Sequence, residues 1–167
     1  ARRLQAEEQA KAAAAREAEL ARAHGCDHPI VYTRENVVER VKAITDGGGV
    51  PVVFDSVGRD TFTTSLDCLQ PRGLMVSYGN ASGAVEPFSP GVLAAKGSLF
   101  LTRPTLASYI ATRAELDTTT TELFDVVRSG AVKVEVSQMY PLKDAAQAHR
   151  ALEARKTTGS TVLTVEE

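Results

Sequence analysis

The amino-acid sequence predicts an α/β fold built on a doubly wound parallel sheet. Short apolar runs alternate along the chain with segments whose apolar residues recur at helical spacing, which is the order expected of βαβ units. The apolar runs are also nearly continuous, without an alternation of apolar and polar residues, and this is typical of parallel strands that are covered on both faces. Right-handed crossovers are therefore expected between successive strands.

The first part of the chain is rich in alanine and charged residues. Residues 1–24 contain no Gly or Pro and only two large apolar residues, Leu4 and Leu20. These residue types favour a helix that buries little surface. Gly25 is expected to end the helix, and residues 30–32 are expected to form a short strand.

A second helix and a strand are predicted next. The helix starts at Arg34 and ends at the glycines 47–49, with one apolar face formed by Val37, Val38, Val41 and Ile44. Residues 50–54 then form an apolar strand that leads into Asp55-Ser56-Val57-Gly58.

A third helix and a second buried strand continue the alternation. Asp60 is expected to cap the helix, whose apolar face would carry Phe62, Leu66 and Leu69. The strand, residues 74–78, follows Gly73 and ends at Gly79.

The remainder of the chain predicts a loop, two strands and two helices. Pro87 and Pro90 mark the loop, and residues 99–101 form a strand that Pro104 ends, as suits a sheet edge. A long helix with Leu116, Leu123, Phe124 and Val127 on one face is expected to end at Gly130. Pro141 precedes a last helix with Ala145, Ala148, His149 and Leu152 aligned, and residues 162–165 form the final strand.

Length, charge and cysteine content exclude several classes of protein. The 167 residues suit one domain of ordinary size. Lysine and arginine number 19 against 21 acidic residues, a net charge of −2 without a basic run, which disfavours binding to nucleic acid or anionic membranes. Cys26 and Cys68 lie far apart without a CxxC spacing, so a reducing, cytoplasmic location is expected.

Two glycine clusters differ in their position relative to the strands. Gly47, Gly48 and Gly49 close a helix before a strand, which indicates a helix end and not a phosphate-binding loop. The segment 78–83, in contrast, follows the carboxyl end of a central strand, where open α/β sheets bind ligands. Both a ligand-binding loop and a simple turn fit this second pattern.

The residues after the first buried strand also allow two interpretations. Ser56 is placed to donate a hydrogen bond to a ribose or an adenine edge. Asp55 fits equally well as a residue that precedes a helix and accepts hydrogen bonds from nearby backbone N–H groups.

Metal and nucleophilic chemistry are not indicated. The histidines at positions 24, 28 and 149 are scattered, and the chain has no HExxH or GxSxG motif. His149 lies on the apolar face of the predicted last helix, where a partly buried, hydrogen-bonded histidine is expected. Neither zinc nor hydrolase chemistry is therefore expected.

Several segments together resemble a known family. These are residues 53–60 (VFDSVGRD), 65–69 (SLDCL), 72–83 (RGLMVSYGNASG), 96–104 (KGSLFLTRP) and 140–149 (YPLKDAAQAH). In this order they are similar to the zinc-free NADPH:quinone oxidoreductases, the zeta-crystallin-like branch of the medium-chain dehydrogenase/reductase superfamily, over about residues 17–165.

The resemblance implies a partial Rossmann-like domain that binds NADPH and passes hydride to a quinone. Position by position, Tyr32 would lie near the adenosine, Ser56 and Val57 would line the adenine-ribose pocket, and Gly79 with Asn80 would approach the nicotinamide. Leu101, Thr102 and Arg103 would flank the nicotinamide. The edge strand at residues 99–101 (Leu99, Phe100 and Leu101) would pair with a second subunit in a homodimer.

The departures from the family pattern define the expected domains. Residues 1–16 do not resemble the family, residues 17–110 correspond to part of the NADPH-binding domain, and residues 111–167 correspond to elements that pack toward the catalytic domain. Glu17 stands where the family usually carries a cation for the 2′-phosphate, and an acidic residue would repel phosphate.

The N-terminal catalytic domain and the first glycine-rich turn of the family have no counterpart in the sequence. The isolated chain is therefore expected to be inactive, because positioning provides most of this chemistry. Two alternatives stay open: a noncatalytic dimerisation or interaction module, and a related reductase of alkenals or enones.

Overall fold

A computed structural model describes residues 2–154 and 156–165, and side chains from residue 11 onward. The chain forms two compact units, Ala1–Thr105 and Leu106–Glu167. The domain division expected from the resemblance, with boundaries at residues 16 and 110, stays a prediction.

Helices and strands alternate through most of the chain. The strands are β1 (Val50–Asp55), β2 (Leu69–Ser77), β3 (Phe100–Thr102), β4 (Val136–Pro141) and β5 (Ser160–Thr164). The helices are α1 (Arg2–Ala23), α2 (Val37–Ile44), α3 (Phe62–Asp67), α4 (Gly91–Ala95), α5 (Leu106–Tyr109), α6 (Arg113–Arg128) and α7 (Ala145–Glu153), with a 3₁₀ turn at Leu142–Asp144.

The first unit contains a three-stranded parallel sheet in the order β1-β2-β3. Its register aligns Val53 with Met75 and Met75 with Leu101. The carboxyl ends of β1 and β2 therefore lie side by side, and β3 occupies an edge as predicted. This arrangement confirms the partial doubly wound, Rossmann-like α/β fold.

One face of this sheet carries the core of the first unit. The side chain of Met75 is completely buried at the centre of β2, and it belongs to a cluster with Phe62, Leu66, Leu69 and Leu99. On the opposite face, 71% of Phe54 and 61% of Phe100 are exposed. The coverage of both faces that the apolar runs predict is therefore incomplete within the described residues of the first unit.

The strand predicted at residues 30–32 is wrong. The carbonyl of Val31 accepts hydrogen bonds from the backbone N–H groups of Arg34 and Glu35, and the Glu35 carboxylate accepts one from Val31 N–H. These bonds form a turn, so the apolar triplet pairs with no strand. Asn36 then caps α2, which begins at Val37 instead of Arg34.

The third helix is shorter than its apolar spacing predicts. Thr61, and not Asp60, occupies the N-cap position, and the helix ends at Asp67. Leu69 consequently begins β2 instead of extending the helical face. Its side chain still enters the core, which explains why spacing alone placed it on the helix.

The second unit contains a two-stranded parallel sheet, β4 and β5. The long helix and the final strand occur where predicted, as α6 and β5. The sequence does not predict β4, which ends at Pro141, because this proline precedes the last helix and indicates only a helix start. His149 is exposed on α7, and the neighbouring Ala148 is the buried residue. The prediction of a partly buried histidine at position 149 is therefore wrong.

A capping box starts α6. The Thr112 hydroxyl accepts a hydrogen bond from Glu115 N–H at 3.2 Å, and the Glu115 carboxylate accepts one from Thr112 N–H at 2.9 Å. Hydrogen bonds from Thr112 hold the pKa of Glu115 below its ordinary value.

Replacing Thr112 with Ala is expected to destabilise α6 by about 1 kcal/mol, because one N–H of the first turn loses its acceptor. Urea unfolding monitored by circular dichroism measures this loss. Thr119→Ala, an exposed change in the middle of the same helix, is the control and should not destabilise. Equal destabilisation by the two variants would contradict the role of the cap.

Candidate functional site

The segments that follow β1 and β2 are in direct contact at the carboxyl edge of the sheet. We call them the 56–58 turn and the 79–83 loop. Backbone N–H groups of Ala81 and Ser82 donate to the carbonyls of Ser56 and Val57 at 3.3 and 2.8 Å, respectively. A Cβ at Gly79 would lie 2.0 Å from the Ser56 carbonyl oxygen. Only glycine permits this close approach of the two backbones.

The hydroxyl of Ser82 adds a second connection between the same segments. It donates to the Val57 carbonyl at 2.8 Å and accepts from Asp60 N–H at 3.0 Å. These hydrogen bonds join the two segments at the edge of the sheet.

Asp55 is a buried carboxylate at the end of β1, only 4% exposed. Its Oδ1 accepts hydrogen bonds from Val57 N–H at 2.8 Å and Gly58 N–H at 2.9 Å. Its Oδ2 accepts from the hydroxyls of Thr61 and Ser65, both at 2.7 Å. Burial by itself would raise the pKa of Asp55, but these hydrogen bonds outweigh it and leave the pKa below its ordinary value. The structure confirms that Asp55 accepts hydrogen bonds from the adjacent backbone N–H groups.

Arg103 connects the end of β3 to the end of β2. One guanidinium nitrogen, Nη1, donates to the carbonyls of Ser77 at 2.8 Å and Gly79 at 3.2 Å. The cation therefore lies beside the 79–83 loop, where it also fixes the backbone at the start of that loop.

A cavity of about 300 Å³ opens at this edge. Its wall is mainly apolar and aromatic, with a few polar groups, and the lining residues are Phe62, Ser77, Asn80, Ala84, Val85, Phe88, Leu101 and Arg103. The rings of Phe62 and Phe88 pack at a centroid distance of 4.9 Å. This volume is at the lower end of the range for ligand pockets and suits one ring system with a polar substituent.

The structure brings together most of the residues that the sequence pointed to. Ser56 and Val57 contact the segment that contains Gly79 and Asn80, and Leu101 and Arg103 line the cavity with Asn80. Two other predicted residues lie outside this group. Thr102 pairs in register with Val76, on the sheet face opposite Leu101, and Tyr32, 62% exposed, lies in the turn before α2 and does not line the cavity.

Sequence reasoning missed the aromatic wall of the cavity. The sequence predicts Phe62 on the apolar face of the third helix, and it does belong to the core, but it also faces the cavity. Val85 and Phe88 lie in the proline-containing segment, which the sequence predicts only as a loop. Two apolar residues in an otherwise loop-like segment were a signal that it packs against something.

The described residues contain no cluster of three or more His, Cys, Asp or Glu side chains that could hold a metal ion. Within that same part of the chain, no helix is long and apolar enough to cross a membrane. Cys26 and Cys68 are both free thiols, the first exposed and the second buried.

Residues 24–163 match the zinc-binding dehydrogenase family. The chain is 53% identical over 146 residues to a quinone oxidoreductase of Pseudomonas aeruginosa. This match covers 87% of this chain and 45% of that protein. It is also 46% identical over 147 residues to a 2-haloacrylate reductase of a Burkholderia species, covering 87% of this chain and 44% of that protein. The chain thus spans less than half the length of these relatives.

A solved structure is similar over the same region. The structure of Escherichia coli quinone oxidoreductase complexed with NADPH superimposes with a TM-score of 0.84 at 53% sequence identity. The match covers 90% of this chain and 47% of that one.

Proposed function

The chain belongs to the zinc-binding dehydrogenase family, in its quinone oxidoreductase branch, and we propose that it is the cofactor-binding part of an NADPH-dependent quinone reductase. The observation that carries the proposal is the carboxyl edge, where the 79–83 loop packs against the 56–58 turn on one side, and Asn80 of that loop lines a cavity together with Arg103 on the other. Ligands bind at this edge in open α/β sheets. The free thiols of Cys26 and Cys68 support a reducing, cytoplasmic location.

The residues at the cavity fit one end of a nicotinamide dinucleotide. Phe62, Phe88 and Leu101 offer an apolar surface to a flat ring, while Asn80 and Arg103 offer hydrogen-bond donors to a carboxamide. The cavity has room for the ring end only, so the adenosine half would lie along the 56–58 turn. We propose Ser56 and Val57 for that half, with Gly79, Asn80, Leu101, Thr102 and Arg103 around the nicotinamide and Tyr32 near the adenosine.

NADPH, when bound, supplies the hydride that reduces the substrate. The protein residues bind and orient the reacting rings and exclude water from them. Glycine at position 79 allows the 79–83 loop to lie against the Ser56 carbonyl, and the Arg103 cation fixes the carbonyls on either side of Tyr78. No side chain described here is needed as a nucleophile for hydride transfer.

Titration calorimetry with NADPH tests the proposed binding. We expect saturable binding to the 167-residue chain without quinone-dependent NADPH oxidation at ordinary enzyme rates. Arg103→Met should weaken binding about tenfold or more, because a charge-assisted hydrogen bond contributes about 1.5–3 kcal/mol. Arg113→Met is the matched control, since that side chain is 84% exposed and pairs with Asp117 on its own helix.

Two outcomes would contradict the proposal. If the wild-type chain shows no saturable NADPH binding, it is not a cofactor-binding unit and the interaction-module alternative is supported. If the 167 residues alone reduce a simple quinone at ordinary rates, positioning by further structure is not required.

A second candidate substrate class is the activated alkenes. The relative that carries the name 2-haloacrylate reductase is 46% identical to this chain over 147 residues. Hydride transfer to an activated alkene would use the same proposed cofactor site, because one fold can serve several substrates. Competition between a quinone and a 2-haloacrylate, measured on a protein that contains this chain and its full substrate cleft, distinguishes the two classes.

We also propose a homodimer that forms through β3. This strand lies at the edge of the sheet, and both Phe100 and Leu101 are partly or largely exposed. An unpaired strand edge can accept a second strand, and pairing with a copy of itself gives a twofold-symmetric dimer. Light scattering would report twice the chain mass, and a strictly monomeric protein would contradict the proposed pairing.

A further inference from the structure

The hydrogen bonds of Asp55 all go to the segment that follows it. Two of its acceptor positions engage the backbone N–H groups of the 56–58 turn, and the other two engage hydroxyls on α3 and just before it. The carboxylate therefore sits between the turn and the helix and fixes one relative to the other. Within the described part of the chain, no cationic side chain pairs with it.

The backbone at Gly58 makes this support necessary. Gly58 has a φ of +91°, and a Cβ there would lie 2.7 Å from the Gly83 carbonyl oxygen. The turn therefore combines a conformation that few residues adopt with close contact to the 79–83 loop. Hydrogen bonds to the two N–H groups favour this conformation over the many others open to a glycine-containing segment.

From this arrangement we infer that Asp55 is a positioning residue: its carboxylate holds the 56–58 turn in the conformation that presents Ser56 and Val57 to the adenosine half of the dinucleotide. The inference rests on the proposed function for the identity of the ligand. It assigns Asp55 no contact with the ligand, because the carboxylate is buried and each of its two oxygens already accepts two hydrogen bonds from the protein.

Two substitutions of Asp55 distinguish the effect of its hydrogen bonds from the effect of its negative charge. In Asp55→Asn, the amide oxygen can still accept from Val57 and Gly58, and the amide nitrogen can donate to the hydroxyls of Thr61 and Ser65, which both donate and accept. Asp55→Ala removes every one of these bonds. If Asp55 acts by positioning, the Asn variant retains binding and the Ala variant loses it.

The experiment compares two half-ligands. Adenosine 2′,5′-bisphosphate probes the 56–58 turn, and nicotinamide mononucleotide probes the cavity near Asn80. We expect Asp55→Ala to weaken binding of the bisphosphate at least about tenfold, the effect of losing about 1.4 kcal/mol. Binding of the mononucleotide should change less than twofold, and Asp55→Asn should stay within about threefold of the wild type for both.

Hydrogen exchange gives a readout that requires no ligand. The amides of Val57 and Gly58 should exchange at least about tenfold faster in Asp55→Ala, while the amide of the buried Met75 keeps its wild-type rate. Asp60→Asn is the control, because this exposed carboxylate accepts a hydrogen bond from its neighbour Arg59 and, among the described residues, none from the 56–58 turn. It should leave both the exchange rates and the bisphosphate affinity unchanged.

The outcomes of these experiments can contradict either the positioning role of Asp55 or the proposed function. Equal losses for both half-ligands together with faster exchange at Met75 would mean general destabilisation and would overturn the positioning role. Unchanged exchange at Val57 and Gly58 in Asp55→Ala would also overturn it. A wild-type chain that binds no NADPH would overturn the proposed function, while the exchange rates would still show whether Asp55 holds the turn.

Discussion

Gly79→Ala is expected to abolish dinucleotide binding and to destabilise the first unit. The new Cβ would lie 2.0 Å from the Ser56 carbonyl oxygen and 2.6 Å from the Ser56 Cα, and both of these are backbone atoms. No side-chain rotation can relieve the contact, so the 79–83 loop must move away from the 56–58 turn. Overpacking of this kind costs about 1–3 kcal/mol, and here it also separates the two halves of the proposed site.

Urea unfolding and NADPH calorimetry on the same protein measure the two effects. Gly91→Ala is the matched control, because a Cβ there would be 3.5 Å from its nearest neighbour, the Ser89 hydroxyl, at the start of α4. That variant should be neutral or slightly stabilised, since alanine favours helix. Wild-type affinity in Gly79→Ala would show that the contact between turn and loop is not part of the site.

The order of elements in the first unit could be predicted because glycines and apolar runs mark its strands clearly. Gly49 precedes β1, Gly79 follows β2, and the parallel arrangement follows from the helix between them. The false strand at residues 30–32 shows the limit of this reasoning. An apolar triplet forms a strand only if a neighbouring strand accepts its hydrogen bonds, and Glu35 satisfied Val31 N–H locally instead.

The site was predictable in part, and the reason is topological. Parallel strands place their carboxyl ends at one edge, so Ser56 and Gly79 had to be close even though 22 residues separate them. Two features were not predictable from the spacing of residues in the sequence. These are the hydrogen bonds of Arg103 to the carbonyls at the end of β2 and the aromatic wall of the cavity. They depend on side-chain directions across β3 and a loop, which no period in the sequence encodes.

Met75→Ala is expected to destabilise the first unit by about 2–5 kcal/mol, the range for truncating a large buried apolar side chain. Met75 has no exposed surface, and it lies at the centre of β2 within the cluster that includes Leu66 and Leu99. Packing on all sides prevents these neighbours from collapsing fully into the space left by the thioether, so a cavity term adds to the lost transfer free energy.

The chain has one other methionine, which provides an internal control. Met139 lies in β4 with 65% of its surface exposed, so Met139→Ala should change the free energy of unfolding by less than about 0.5 kcal/mol. Urea unfolding of both variants gives the comparison.

Because Met75 aligns with Val53 and Leu101 in adjacent strands, its loss also loosens the sheet whose carboxyl edge forms the proposed site. NADPH affinity should therefore fall in Met75→Ala but not in Met139→Ala, and equal stabilities for the two variants would contradict the assigned core.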